Sequence, residues 1–138
     1  MISAVIDTNV LVSALRTRNP DSPTIRIYYA ILRGEVLVLH SPEIIAEYED
    51  VLHRDKFAFD SNCVDEIIDF IKTHGQSISP ADADSASFPD PDDRVFYCTA
   101  LAAQDEDAML VTGNIRHFPG ADFVITPSEF VEILDSQT

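Results

Sequence analysis

The chain has 138 residues, 46% of them apolar, with eight Phe, four Tyr and no Trp, which is enough for one domain with a buried core and too little for two. That balance excludes intrinsic disorder as the main state. Twenty-four acids against nine bases give a net charge of −15, which weighs against tight, sequence-independent nucleic-acid binding because phosphate recognition draws on clustered Lys and Arg. The acidity suits a high-salt habitat and equally plain solubility.

Residues 3–6 form a short apolar run that stops at Asp7, and Val10, Leu11, Val12, Ala14 and Leu15 follow at spacings that predict strand, then helix. Asn19-Pro20-Asp21-Ser22-Pro23 is turn chemistry. Ile25, Ile27, Tyr28, Ile31 and Leu32 then recur every three to four residues until Gly34. A second strand is expected over 36–40. Ser41-Pro42 reads as an N-cap with proline at the first helical position, leading a helix over 43–53.

A further helix is expected over 63–73, a short strand over 76–79, and a loop over 80–92, which is rich in Pro, Asp, Ser and Ala. Asp90 can cap a helix that begins at Pro91 and runs to about 104. Its nearly all-round apolar surface implies burial between other elements. Strands over 109–112 and 123–125 follow, and Thr126-Pro127-Ser128-Glu129 spells cap, proline and capping-box acid ahead of a closing helix. Strands alternate with helices and no hairpin signal joins any two, so the fold class is α/β, a single domain over 1–138 with a parallel sheet of four to five strands covered on both faces.

No apolar run approaches the roughly 18–20 residues that cross a bilayer, and no basic stretch precedes an apolar core at the N-terminus. A cytoplasmic protein with no membrane partner is expected. Cys63 and Cys98 suggest neither a disulfide framework nor a zinc site.

Ligands of parallel sheets bind beyond the strands' carboxyl ends, where Asp7 and Asn114 are expected. Asp7 is suited equally to capping the next helix and to chemistry. Asp90, Asp92 and Asp93 crowd one helix start; the helix dipole favours such charge, but three acids exceed a cap's need, and Asp92 and Asp93 are placed to hold a cation. On the 43–53 helix, Glu47 and Glu49 border the apolar stripe on opposite sides, and the helical wheel does not choose between them. Asp50 points to solvent. The strand ending Thr112-Gly113-Asn114 offers hydroxyl and amide oxygens, as an ordinary turn also would.

Together, Val5-Ile6-Asp7-Thr8-Asn9-Val10-Leu11-Val12-Ser13, an early helix with Glu47, Asp93 heading an alanine-rich helix, and Leu110-Val111-Thr112-Gly113-Asn114 resemble a PIN domain across essentially the whole chain. More narrowly they resemble its toxin branch from toxin–antitoxin systems, in Asp90-Pro91-Asp92-Asp93 and Thr112-Gly113-Asn114-x-x-His117-Phe118. The resemblance implies an α/β/α sandwich with strand order 3-2-1-4-5 and a ribonuclease that cleaves RNA with Mg²⁺ or Mn²⁺. It also implies silencing by a cognate antitoxin protein and a homodimer.

It assigns Asp7, Glu47, Asp93 and Asn114 to the catalytic centre, and chooses Glu47 over Glu49. Asn114 stands where the family has an Asp, which removes one ligand charge and weakens tight or two-metal binding. Converging carboxylates need a hard cation, and all-oxygen ligation disfavours zinc. Asp7 and Asp93 would hold the ion, Glu47 would bind it or position water, and Asn114 would hold a second ion weakly or orient a water. Thr8, Asn9, Thr112 and Asp92 would support these ligands. Arg16, Arg18, Arg94, Arg116 and His117 are candidate RNA contacts, Phe118 could stack on a base, and His40 has a status like that of His117.

Two rivals remain. One is a PIN fold acting mainly as a protein- or RNA-binding module, feeble in catalysis because position 114 is Asn. The other is a Mg²⁺-dependent phosphatase of the haloacid-dehalogenase type with Asp7 as nucleophile, which wants a second Asp where Asn9 stands and a lysine after Lys72, where there is none.

Overall fold

A computed structural model describes residues 1–81, 88 and 90–137. Among the described residues five strands and six α-helices follow one another: β1 (Ile2–Ile6), α1 (Thr8–Arg16), α2 (Pro23–Leu32), β2 (Val36–His40), α3 (Pro42–Leu52), α4 (Ser61–His74), β3 (Gln76–Ser77), α5 (Pro91–Ala102), β4 (Met109–Val111), β5 (Val124–Ile125) and α6 (Pro127–Ser136). The strands form one sheet in the order β3-β2-β1-β4-β5, every pairing parallel. This is the α/β class and the strand order expected from the sequence. Most of the loop expected over 80–92 lies outside the described residues.

The sequence signals act where they stand. Ser41 accepts from the Ile44 N–H at the start of α3, Asp90 accepts from the Asp92 N–H at the start of α5, and Thr126 and Glu129 close a reciprocal capping box on α6. α4 starts two residues before the expected helix because Asp60 caps it through the Asn62 N–H. α5 stops at Ala102, short of the expected end, because the Gln104 amide donates to the Ala100 and Ala108 carbonyls and turns the chain toward β4. β3 keeps only two of the four expected residues and is exposed; a short, polar edge strand presents little unpaired backbone to other chains.

Ala4, Val5, Ile6, Leu39, Leu110 and Val111 are buried at the sheet centre. Right-handed crossovers put the helices of the β1–β2 and β2–β3 connections on one face and α5, which returns across the sheet to β4, on the other. α5 accordingly packs on β1, β2 and β4, while α2 packs between α1 and α6. Gly75 joins α4 to β3 at a point where a Cβ would lie 2.3 Å from the Val38 carbonyl oxygen and 2.5 Å from that of Ile71, so the close approach of α4 to β2 requires glycine.

Candidate active site

The chain leaves β1 toward β2 on one side and leaves β4 toward β5 on the other, so strand order reverses between β1 and β4, where open α/β sheets form their ligand crevices. The first residues beyond these two strands, Asp7 and Thr112, are both buried. The Asp7 N–H extends the ladder to the Val111 carbonyl at 3.0 Å. The Thr112 hydroxyl donates to Asp7 Oδ2 at 2.7 Å and accepts from the Asn114 N–H at 3.0 Å. Asn9 Oδ1 accepts from the Gly113 N–H at 3.2 Å and so ties the start of α1 to the same loop.

Asp7 occupies the N-cap position of α1 but makes no capping hydrogen bond of good geometry; the well-formed bond to its carboxylate comes from Thr112. Burial raises its pKa; the Thr112 hydroxyl, the nearby Thr8 and Asn9 N–H groups and His117 pull the other way. Thr8 is buried, and its hydroxyl has no hydrogen-bond partner among the described residues. Beneath Asp7, fully buried Tyr48 of α3 donates its hydroxyl to the Ile6 carbonyl at 2.5 Å, and burial followed by the Asp7 charge raises the phenol's pKa. The sequence marked Tyr48 only as part of the apolar stripe; an aromatic hydroxyl on a buried face was the available signal.

Asp93, in the first turn of α5, approaches from the opposite face. Burial first, then repulsion from Asp7 and Asp90, push its pKa up to about 6, against the pull of His117. Its Oδ2 is buried and makes no hydrogen bond of good geometry among the described residues, although His117 Nδ1 stands 3.3 Å away. Glu47 is half-buried on the flank of α3 that faces α5, and its pKa is raised by burial and then by Asp92 and Asp50, with Arg54 opposing. Glu49 is exposed on another flank, beside His40 and Lys72. Asp92 and Asn114 are exposed.

Arg16 lines a hollow with Asn9, and Arg116 lines one with Asn114 and His117. Arg18 is exposed and Arg94 half-buried. His40 sits away from the carboxylates, with Lys72 as its charged neighbour. Phe118 corrects an expectation: it is 7% exposed and packs edge to face on Phe88 with centroids 6.5 Å apart, because the turn after Asn114 folds its ring under the loop, and it is not open to a base.

Among the described residues, no three His, Cys, Asp or Glu side chains converge tightly enough to hold a metal ion by themselves. Asp7 and Asp93 nonetheless suit a hard cation: both offer oxygen, both are desolvated, the Asp7 charge repels that of Asp93, and the buried Asp93 Oδ2 has, among the described residues, only the His117 ring nitrogen, at 3.3 Å, beside it. Among the described residues no helix is long and apolar enough to cross a membrane.

A PIN domain family match covers residues 3–116, and the chain belongs to that family. PIN domains are generally nucleases and typically use divalent metals. No curated protein and no solved structure matches the chain.

Proposed function

We propose that the protein is a metal-dependent endoribonuclease, the toxin of a toxin–antitoxin pair acting in the cytoplasm. The observation that carries this reading is the desolvated, mutually repelling pair Asp7 and Asp93 at the crevice between β1 and β4. Asp7 and Asp93 would hold Mg²⁺ or Mn²⁺, and water would complete its shell, since Mg²⁺ commonly keeps several waters and takes only one or two carboxylates. The bound ion supplies Lewis acidity that activates water and stabilises charge developing on the phosphodiester.

The chain's own residues position the parts. Thr112 fixes the Asp7 carboxylate through one oxygen, in a position from which it would hold the ion. Glu47, across the crevice beside Asp92, orients the attacking water, and Asn114 holds a further water or a weak second ion. Thr8, Asn9 and Asp92 shape the surroundings, and Arg16, Arg18, Arg94, Arg116 and His117 meet phosphates around the crevice. No protein nucleophile is needed. With a net charge of −15, RNA affinity is weak and salt-sensitive; a homodimer concentrates the arginines, and a cognate antitoxin occupies the crevice.

Cleavage of a mixed RNA pool by purified protein with Mn²⁺ or Mg²⁺, against chelator and Asp7→Asn controls, tests the reading. Cleavage that requires the metal and disappears in Asp7→Asn is expected. A folded, partner-free protein that cleaves nothing with either metal overturns it. Such a result favours the binding-module reading, which draws on Asn114 in place of an acid and on the lack of a three-ligand cluster among the described residues.

A further inference from the structure

The carboxyl edge of the sheet continues past Asp7 to β2 and β3, where a second hollow, of about 460 Å³, opens between α3 and α4. His40, at the end of β2, and Ser77, at the end of β3, line it together with Pro42, Ile45 and Glu49 of α3 and Lys72 of α4. The volume lies within the range of small-molecule sites.

Three observations set this hollow apart from an ordinary surface dip. His40, which lines the hollow, is 8% exposed, and its Nε2 has no hydrogen-bond partner among the described residues. Lys72 has no ion pair among the described residues, although acids outnumber bases 24 to 9. Among the described residues Lys72 is the one lysine or arginine lining the hollow, and desolvation, with the Lys72 charge, holds the His40 pKa below its ordinary value. The walls thus offer one cation, one carboxylate, one hydroxyl and an apolar floor. A ribonucleotide presents the matching set of phosphate, ribose hydroxyls and base.

The position agrees with the composition. β2 is next to β1 and β3 is next to β2, and neighbouring strands lie about 4.8 Å apart, so the hollow starts within about 5–10 Å of the Asp7 edge. A strand laid across the carboxyl ends with its scissile bond at Asp7 and Asp93 reaches it with a neighbouring nucleotide.

We propose that the hollow between α3 and α4 holds one ribonucleotide unit of the RNA strand beside the scissile bond. Lys72 takes the phosphate, Glu49 and Ser77 take the ribose hydroxyls, and Ile45 and the His40 ring pack against the base. The proposal rests on the nuclease reading and extends it. It gives Glu49 a role distinct from that of Glu47, and makes that carboxylate the group that tells RNA from DNA through the 2′-hydroxyl.

The test uses the Asp7→Asn protein in chelator, with fluorescence anisotropy of a labelled single-stranded RNA and the DNA of the same sequence across a salt series. Lys72→Ala is expected to weaken RNA binding about five- to tenfold and to reduce the salt slope by about 0.7, and Lys72→Arg to restore both. Glu49→Gln is expected to weaken RNA binding while leaving DNA binding nearly unchanged. In the wild-type protein, adenosine 5′-monophosphate is expected to move the His40 imidazole NMR resonances. RNA binding and slope unchanged by Lys72→Ala, with His40 unmoved by the nucleotide in the wild type, overturn the proposal, and metal-dependent cleavage by the wild-type protein, with Asp7 intact, leaves the nuclease reading standing. Conversely, His40 responding to the nucleotide in a protein that cleaves nothing supports the hollow as a nucleotide site and overturns only the nuclease reading.

Discussion

Replacing Asp93 with Asn is expected to stabilise the metal-free protein near neutral pH while abolishing metal-dependent cleavage. Burial, then Asp7 and Asp90, raise the Asp93 pKa from its ordinary 3.8 to about 6, so the fold favours the protonated acid. That contribution is fully present below the unfolded value, where both states carry the proton, and is lost as pH rises through about 6. The full displacement corresponds to about 3 kcal/mol; solvent screening at this partly open carboxylate reduces it to about 1–2 kcal/mol. For a chain of this length that is about 3–6 °C in Tm. Melting curves in chelator at about pH 7.5 and about pH 4 should show the variant more stable at the higher pH and the gap narrowing at the lower. Millimolar Mn²⁺ should then raise the Tm of the wild type and leave the variant unmoved. A variant no more stable than wild type near neutrality, or a gap independent of pH, refutes the reasoning.

Gly75→Ala is expected to cost about 2–4 kcal/mol, read by chemical denaturation, because the added Cβ would sit 2.3 Å from the Val38 carbonyl oxygen and backbone would have to move. Tyr48→Phe is expected to lose about 1–3 kcal/mol by leaving the buried Ile6 carbonyl without its donor; because that carbonyl immediately precedes Asp7, metal affinity measured by calorimetry should fall as well. Asn114→Asp is expected to tighten Mn²⁺ binding about tenfold by restoring a ligand charge, with cleavage rising in parallel. No change in either would show that the existing carboxylates suffice.

Much of the fold was legible because its signals are local. Ser41-Pro42, Asp90-Pro91 and Thr126-Pro127-Ser128-Glu129 mark helix starts with groups that satisfy the orphan N–H donors within the next turn. Val36-Leu37-Val38-Leu39 is an unbroken apolar run in β2 because both faces of a parallel sheet are covered. At two helix boundaries that differed, a single side chain was the cause: Asp60 extending α4 backward and Gln104 bending the chain out of α5. The candidate site was legible in part. Asp7 and Asp93 stand out as acids at a strand end and a helix start, where a solvated charge needs no such placement.

The sequence by itself determined the alternation of strands and helices, their caps and turns, and which residue types sit at the sheet's carboxyl edge, since each depends on neighbours within a few positions along the chain. Only the tertiary structure decided which of those residues meet. It set Thr112 on Asp7 across 105 positions, turned Glu47 toward Asp92 and put Glu49 on the wall of the hollow that Lys72 also lines, put the Tyr48 hydroxyl under Ile6, and folded Phe118 onto Phe88. A helical wheel fixes an angle about one axis. Which element lies at that angle is fixed by strand order and helix packing, and those follow from burying the whole core at once.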